Sequence, residues 1–335
     1  MDNNFHTQQD YGFGVPPVNP DITEKRETRR IATLIGLPLL AFSVITALWS
    51  NVYLAVMAAL GYSANAALAI VRDPAVMQVV QVALSILIFT VPYTIAVKVA
   101  GYRVSDLVPL TRSEKGTAFP YFLFGIGFCA FANIAVSYAG QIFENMGFDY
   151  SVDYGDNPKG FWGFVLVFIS TAVVPALVEE FACRGIIMGL LLKYKQGFAL
   201  IVSSVIFGIM HGNFEQIPFA FLVGLILGLI RIKTGSLWVC VLVHAFNNFV
   251  SVVFDFLPDG NTMAHNMAYT IFLGVCLLAA IFGICKIPNG EKAYSLENET
   301  GDFRFKRYKW FFTSPVIIIF AVLAFIESLG FFIME

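Results

Sequence analysis

Apolar residues run along this chain in long, nearly continuous blocks, and polar residues gather in the gaps between them. The blocks lie near residues 31–58, 76–100, 119–142, 161–192, 198–213, 216–232, 236–256, 267–285 and 313–333. A membrane-spanning helix needs about 20 mainly apolar residues, so the pattern predicts an all-α fold, a polytopic transmembrane helical bundle of about 8–9 transmembrane helices. The 161–192 block is too long for one straight span, and Pro175 offers a place for a kink. The 198–213 block is short.

Composition agrees with the pattern. Hydrophobic residues make up 58% of the 335 and charged residues only 13%, against about 45–50% and about 25% in soluble domains. The formal net charge is -2 and there is no basic block, so no nucleic-acid partner is expected; the lipid bilayer is. Residues 1–24 are polar, carry Pro16, Pro17 and Pro20, and lack the apolar core of a signal peptide. They predict a disordered cytosolic tail over residues 1–30, followed by a single membrane domain over 31–335. Lys25, Arg26, Arg29 and Arg30 precede the first block, and Lys98, Arg103, Arg112 and Lys115 follow the second. Arg184, Lys193 and Lys195 close the fourth, Arg231 and Lys233 the sixth, and a basic run from Lys286 to Lys309 follows the eighth. The loop near 143–160 instead holds Glu144, Asp149, Asp153 and Asp156 against Lys159. Positive charge on alternate loops predicts a cytosolic amino terminus and an external carboxyl terminus.

The candidate chemistry lies inside the blocks. Glu179, Glu180 and Arg184 fall within 161–192, and each such charge costs roughly 2.5–3.5 kcal/mol near the centre of a spanning helix. Residues four apart share a helix face, so Glu180 and Arg184 can pair, as can Phe207 with His211 and His244 with Asn248. Glu179 points about 100° away from Glu180. One carboxylate suffices to neutralise Arg184, so the second suggests chemistry or ion handling. Counted from Lys193, Phe198 and Gly235, the residues Glu179, His211 and Asn248 all lie roughly 20 Å deep, and His244 roughly 14 Å. Asn247 is also within reach of the His244 face and is a second candidate for a working amide. Arg72, Glu144, Glu215, Asp255 and Glu327 sit near predicted helix ends and are expected to reach for the membrane surface. The pairs Gly185/Gly189, Gly208/Gly212 and Gly224/Gly228 suit close helix packing. Cys129, Cys183, Cys240, Cys276 and Cys285 form no CxxC pair and are expected to be packing residues.

The ordered set Glu179-Glu180…Arg184, Phe207…His211, His244…Asn248 resembles the CPBP family of intramembrane proteases, which includes the type II CAAX prenyl endopeptidases (Rce1-like) and the Abi bacteriocin-immunity proteins. The resemblance covers about residues 100–260. It implies a glutamate-dependent endopeptidase of a bacterial plasma membrane, acting on membrane-embedded or lipid-anchored peptides. Glu179 would be the general base, His211 would place the water, His244 and Asn248 would stabilise the oxyanion, and Glu180, Arg184 and Phe207 would support them. No cofactor is implied. The rival expectations are a zinc enzyme with His211, His244 and glutamate as ligands, a proton-coupled transporter, and a non-catalytic immunity protein.

Overall fold

The computed structural model describes residues 20–113, 115–147, 156–257, 262–287 and 303–333. Among these residues the chain is helical with no strand: α1 (Pro20–Ala59), α2 (Ala64–Val71), α3 (Pro74–Val99), α4 (Val104–Leu107), α5 (Ala118–Asn145) and α6 (Gly160–Tyr194). There follow α7 (Gln196–Ile209), α8 (Gln216–Thr234), α9 (Leu237–Asp255), α10 (Thr262–Lys286), α11 (Phe303–Phe312) and α12 (Pro315–Ile333). Seven of these are long and apolar enough to cross a membrane, and the pair α11–α12, bent by 65°, makes an eighth if it crosses as one. The 14-residue α7 spans about 21 Å and reaches only partway across a bilayer core. It forms a hairpin with α8 rather than a span of its own.

Local chemistry sets the helix ends. Pro74 opens α3 at a position where a missing N–H costs nothing, and the Asp73 carboxylate accepts from the N–H groups of Ala75 and Val76. Ser236 caps α9 by accepting from the Trp238 N–H, and its hydroxyl donates to the Thr111 carbonyl. Gly235, with φ of 65°, ends α8 in the left-handed conformation that glycine adopts most cheaply.

The ends rich in basic residues meet on one face. Lys193 at the close of α6 pairs with Glu27 at 2.6 Å, Lys306 with Asp21 at 2.7 Å, and Arg307 with Glu24. The Trp238 indole N–H donates to the Leu110 carbonyl, which fastens the start of α9 to the loop after α4. These contacts correct the expected tail. Residues 1–19 lie outside the described residues, but from Pro20 onward the chain is helical. Asp21, Glu24 and Glu27 recur at three-residue spacing and find cations far along the chain, while Thr28 and Ile31 are buried. A local reading of a polar segment carries no sign of those distant partners.

Glycines bring the helices close, partly where expected. A Cβ at Gly185 or Gly189 would come 2.9 Å from Val108 or the Leu107 carbonyl oxygen, and one at Gly228 would come 2.6 Å from Leu200. Gly224 lies against the backbone of Ser204, so Gly224, Gly228 and Gly208 close the α7–α8 hairpin. Gly212 lies outside the two hairpin helices; it sits in their turn with φ of 64°, against the Glu327 side chain of α12. Two helices also approach closely at α5 and α10, where a Cβ on Gly127 would overlap that of Ala280 and come 2.5 Å from the Cys276 carbonyl oxygen. Gly127→Ala is expected to cost about 1–3 kcal/mol by forcing the two backbones apart. The measurement is thermal unfolding in detergent, and an unchanged midpoint would refute the close contact. All five cysteines are free, four of them buried.

Candidate active site inside the bundle

The carboxylates are set by an irregular stretch of α6. Glu179 and Glu180 end a short α-helical segment, Val174–Glu180, flanked by π-helical turns at Phe168–Val173 and Phe181–Ile187. Pro175 is the second residue after the first of these turns and has no N–H to continue an ordinary ladder. The expected place for a kink is thus where the winding of α6 widens.

Glu180 is fully buried, and its Oε1 accepts from Arg184 Nη1 at 2.9 Å and from His244 Nδ1 at 3.0 Å. Arg184 Nη2 also donates to the Gly224 carbonyl at 3.3 Å, a contact the bare Gly224 backbone allows. The guanidinium stands 4.1 Å above the Phe207 ring, a cation–π contact. Phe207 in turn meets the His211 and His244 rings edge to face, with centroids 4.9 and 5.9 Å away. Phe207 is therefore the packing centre of the site.

Glu179 turns away from this pair, as its offset on the helix requires. It lines a cavity of about 150 Å³ with Phe207, Met210, His211, Phe42 of α1 and Phe89 of α3. Its Oε2 lies 4.0 Å from His244 Nε2. His211 sits in the turn just after α7, not within a helix as the sequence suggested. Its Nδ1 is 2.8 Å from the Phe207 carbonyl oxygen. A carbonyl only accepts, so Nδ1 carries the hydrogen and Nε2 presents a lone pair. By the same reasoning, His244 Nδ1–H donates to Glu180 and leaves Nε2 towards Glu179.

Asn248 lies one turn beyond His244 on α9. Its Nδ2 donates to the Thr171 carbonyl at 3.0 Å, within the first π-turn of α6. Glu179, Glu180, Arg184, Phe207, His211 and His244 are thus linked by direct contacts, whereas Asn248 joins the group through the α6 backbone. Of the four residues expected at the chemistry, Glu179 and His211 line the cavity, whereas His244 and Asn248 do not; His244 Nε2 comes within 4.0 Å of Glu179.

The sequence reading missed Phe42, Phe89, Thr171 and Gly224, since an aromatic ring, a carbonyl or a glycine in an apolar block looks like packing. It also placed Glu327 among residues reaching for the membrane surface. The structure puts that carboxylate against Gly212, beside His211, where a Cβ would come 3.2 Å from Glu327 Cδ. On the zinc expectation, no group of three His, Cys, Asp or Glu side chains among the described residues stands close enough together to hold a metal ion.

These features define a class, the polytopic helical membrane proteins that hold carboxylates, imidazoles and an amide inside the bundle. Within it, residues 161–250 match the model of the family described as type II CAAX prenyl endopeptidase, Rce1-like. The chain is 32% identical over 120 residues to the membrane-embedded CAAX protease MroQ of Staphylococcus aureus (strain USA300), covering 32% of this chain and 48% of that protein. It is 31% identical over 97 residues to YdiL of Bacillus subtilis (strain 168), described as a membrane peptidase, covering 29% of this chain and 40% of that protein. The matches thus span about half or less of each relative. No solved structure matches.

Proposed function

We propose that this protein is an intramembrane endopeptidase that hydrolyses peptide bonds of membrane-associated or lipidated substrates with a water activated by Glu179. The observation that carries the reading is the division of labour between adjacent carboxylates. Glu180 is consumed by Arg184 and His244, while Glu179 is left facing a cavity beside His211. A carboxylate that no arginine or lysine holds, in contact with space enough for water, suits a base. The names of the two relatives support a peptidase, and the apolar surroundings support a substrate that arrives from the bilayer.

In this mechanism His211 Nε2 accepts one O–H of the water and Glu179 removes the other proton as the oxygen attacks the peptide carbonyl. The oxyanion is stabilised by N–H donors from the Asn248 amide and from His244 Nε2 when that nitrogen carries a proton. As the C–N bond breaks, Glu179 returns its proton to the leaving amine and is again a carboxylate. Water is consumed, an acid and an amine are formed, and no covalent enzyme intermediate is needed. The basic residues Arg103, Arg112, Lys193, Arg231 and Lys306 near the helix ends support a cytosolic side there by the positive-inside rule, and with it a cytosolic amino terminus.

The test is cleavage of membrane-anchored peptides by the protein reconstituted in liposomes, with products read by mass spectrometry in ¹⁸O-labelled water. One labelled oxygen in the new carboxylate is expected, with full turnover after exhaustive chelation. Loss of cleavage on chelation, restored by zinc, would replace the metal-free base with a metal site. Gradient-driven uptake without cleavage would make the protein a carrier, and neither activity would leave it a non-catalytic immunity protein.

A further inference from the structure

A second polar chain runs through the bundle behind the site. Asn133 of α5 donates from Nδ2 to the Cys129 carbonyl at 3.0 Å and to Asn247 Oδ1 at 3.4 Å. Asn247 donates from Nδ2 to Asn248 Oδ1 at 3.2 Å, and Asn248 donates from Nδ2 to the Thr171 carbonyl at 3.0 Å. Three side-chain amides, one on α5 and two on α9, therefore stand head to tail and end on a backbone carbonyl of α6.

The direction of this chain does not depend on how any one amide is oriented. Both of its ends are backbone carbonyls, which only accept. Thr171 fixes the nitrogen side of Asn248, so Asn248 Oδ1 must face Asn247. Asn247 must then offer its nitrogen to that oxygen and its own oxygen to Asn133. Asn133 is already turned nitrogen-outward by Cys129. Flipping any member would set two donors or two acceptors against each other, at a cost of about 1–3 kcal/mol per unsatisfied group in a partly buried site. The consequence for Asn248 is definite: its oxygen is committed to Asn247, so its remaining N–H is the only polar atom it has to offer. An oxyanion needs donors, and a free amide at this position would turn its oxygen to the site about as readily.

We propose that Asn133 and Asn247 are positioning residues that lock the Asn248 amide with an N–H, never the oxygen, towards the developing oxyanion. This rests on the reading of Asn248 as an oxyanion donor. It also bears on a choice the sequence left open, for Asn247 faces another amide at each end, its Oδ1 accepting from Asn133 and its Nδ2 donating to Asn248.

The test is a double-mutant cycle on the reconstituted full chain with a membrane-anchored peptide. Asn248→Ala is expected to lower kcat about a hundredfold or more. Asn247→Leu and Asn133→Leu are expected to lower kcat roughly tenfold at unchanged KM, and Asn247→Asp, which keeps shape and the acceptor for Asn133, should do the same. The double variant Asn247→Leu/Asn248→Ala should be no slower than Asn248→Ala alone, because Asn247 acts only through Asn248. Additive losses would show a merely structural role and overturn the proposal. If Asn248→Ala is impaired while the Asn247 and Asn133 variants turn over normally, the positioning claim alone fails; if Asn248→Ala is fully active, the oxyanion reading fails with it. A readout independent of turnover is side-chain amide exchange in ¹⁵N-asparagine-labelled protein. Exchange of Asn248 should be at least tenfold faster in Asn133→Leu, and an unchanged rate would overturn the lock.

Discussion

Glu179→Gln is expected to lower peptide cleavage by about a thousandfold or more while leaving the protein folded and as stable as the parent. The amide has the shape of the carboxylate, so the cavity lined by Phe42, Phe89, Phe207, Met210 and His211 keeps its walls. What is lost is an acceptor able to hold the proton of water through the attack and return it to the amine, a contribution worth about 10²–10⁴ in rate. The substitution also spares the internal ion pair, because Arg184 binds Glu180 and not its neighbour. Glu180→Gln is the informative contrast. It removes the charge held between Arg184 and His244, so stability falls along with activity. Cleavage and thermal unfolding measured together on both variants separate the roles. Undiminished cleavage by Glu179→Gln would remove the base assignment, and equal destabilisation of the two would remove the division of labour.

The parts of the site that were legible in the sequence share one property: each carries a cost that only a nearby partner or a reaction offsets. Glu180 and Arg184 at four-residue spacing in an apolar block announce their own pairing, and the pair forms at 2.9 Å even though Arg184 lies in a π-turn. The angular offset of Glu179 from Glu180 likewise appears as one carboxylate in the cavity and one in the pair. The spans were legible for the same reason, since uninterrupted apolarity over some 20 residues suits a bilayer and would be costly in water. What stayed hidden carries no local cost. Phe42 and Phe89 are ordinary residues of apolar helices and become site residues only because α1 and α3 fold into the bundle against residues far along the chain. Asn133 meets Asn247 across 114 positions, and Asp21 meets Lys306 across 285. The short helix α2 and the shift of His211 from helix to turn depend on backbone detail that periodicity does not encode.

The stability of the whole site is expected to hang on Arg184. This side chain is 1% exposed, and it holds Glu180 Oε1, the Gly224 carbonyl and the Phe207 ring at once, tying α6 to α7 and α8. Arg184→Met keeps much of the volume but leaves Glu180, itself 0% exposed, with only His244 as a hydrogen-bond donor among these groups. Breaking a buried pair from one side costs about 3–5 kcal/mol, because the abandoned charge has no water to return to. That loss corresponds to a fall of roughly 10 °C in the unfolding midpoint. Arg184→Lys is expected to fall between parent and Met, since an ammonium restores the charge but neither the flat stack on Phe207 nor the forked reach to both oxygens. The double variant Glu180→Gln/Arg184→Met should recover part of the stability lost in Arg184→Met, as no uncompensated charge remains. It should not recover activity, because His244 loses the carboxylate that orients its ring. Scanning fluorimetry in detergent with parallel cleavage assays reads both quantities. A double variant less stable than Arg184→Met would mean that Glu180 contributes on its own, through His244, and that the ion pair is not what holds this part of the bundle together.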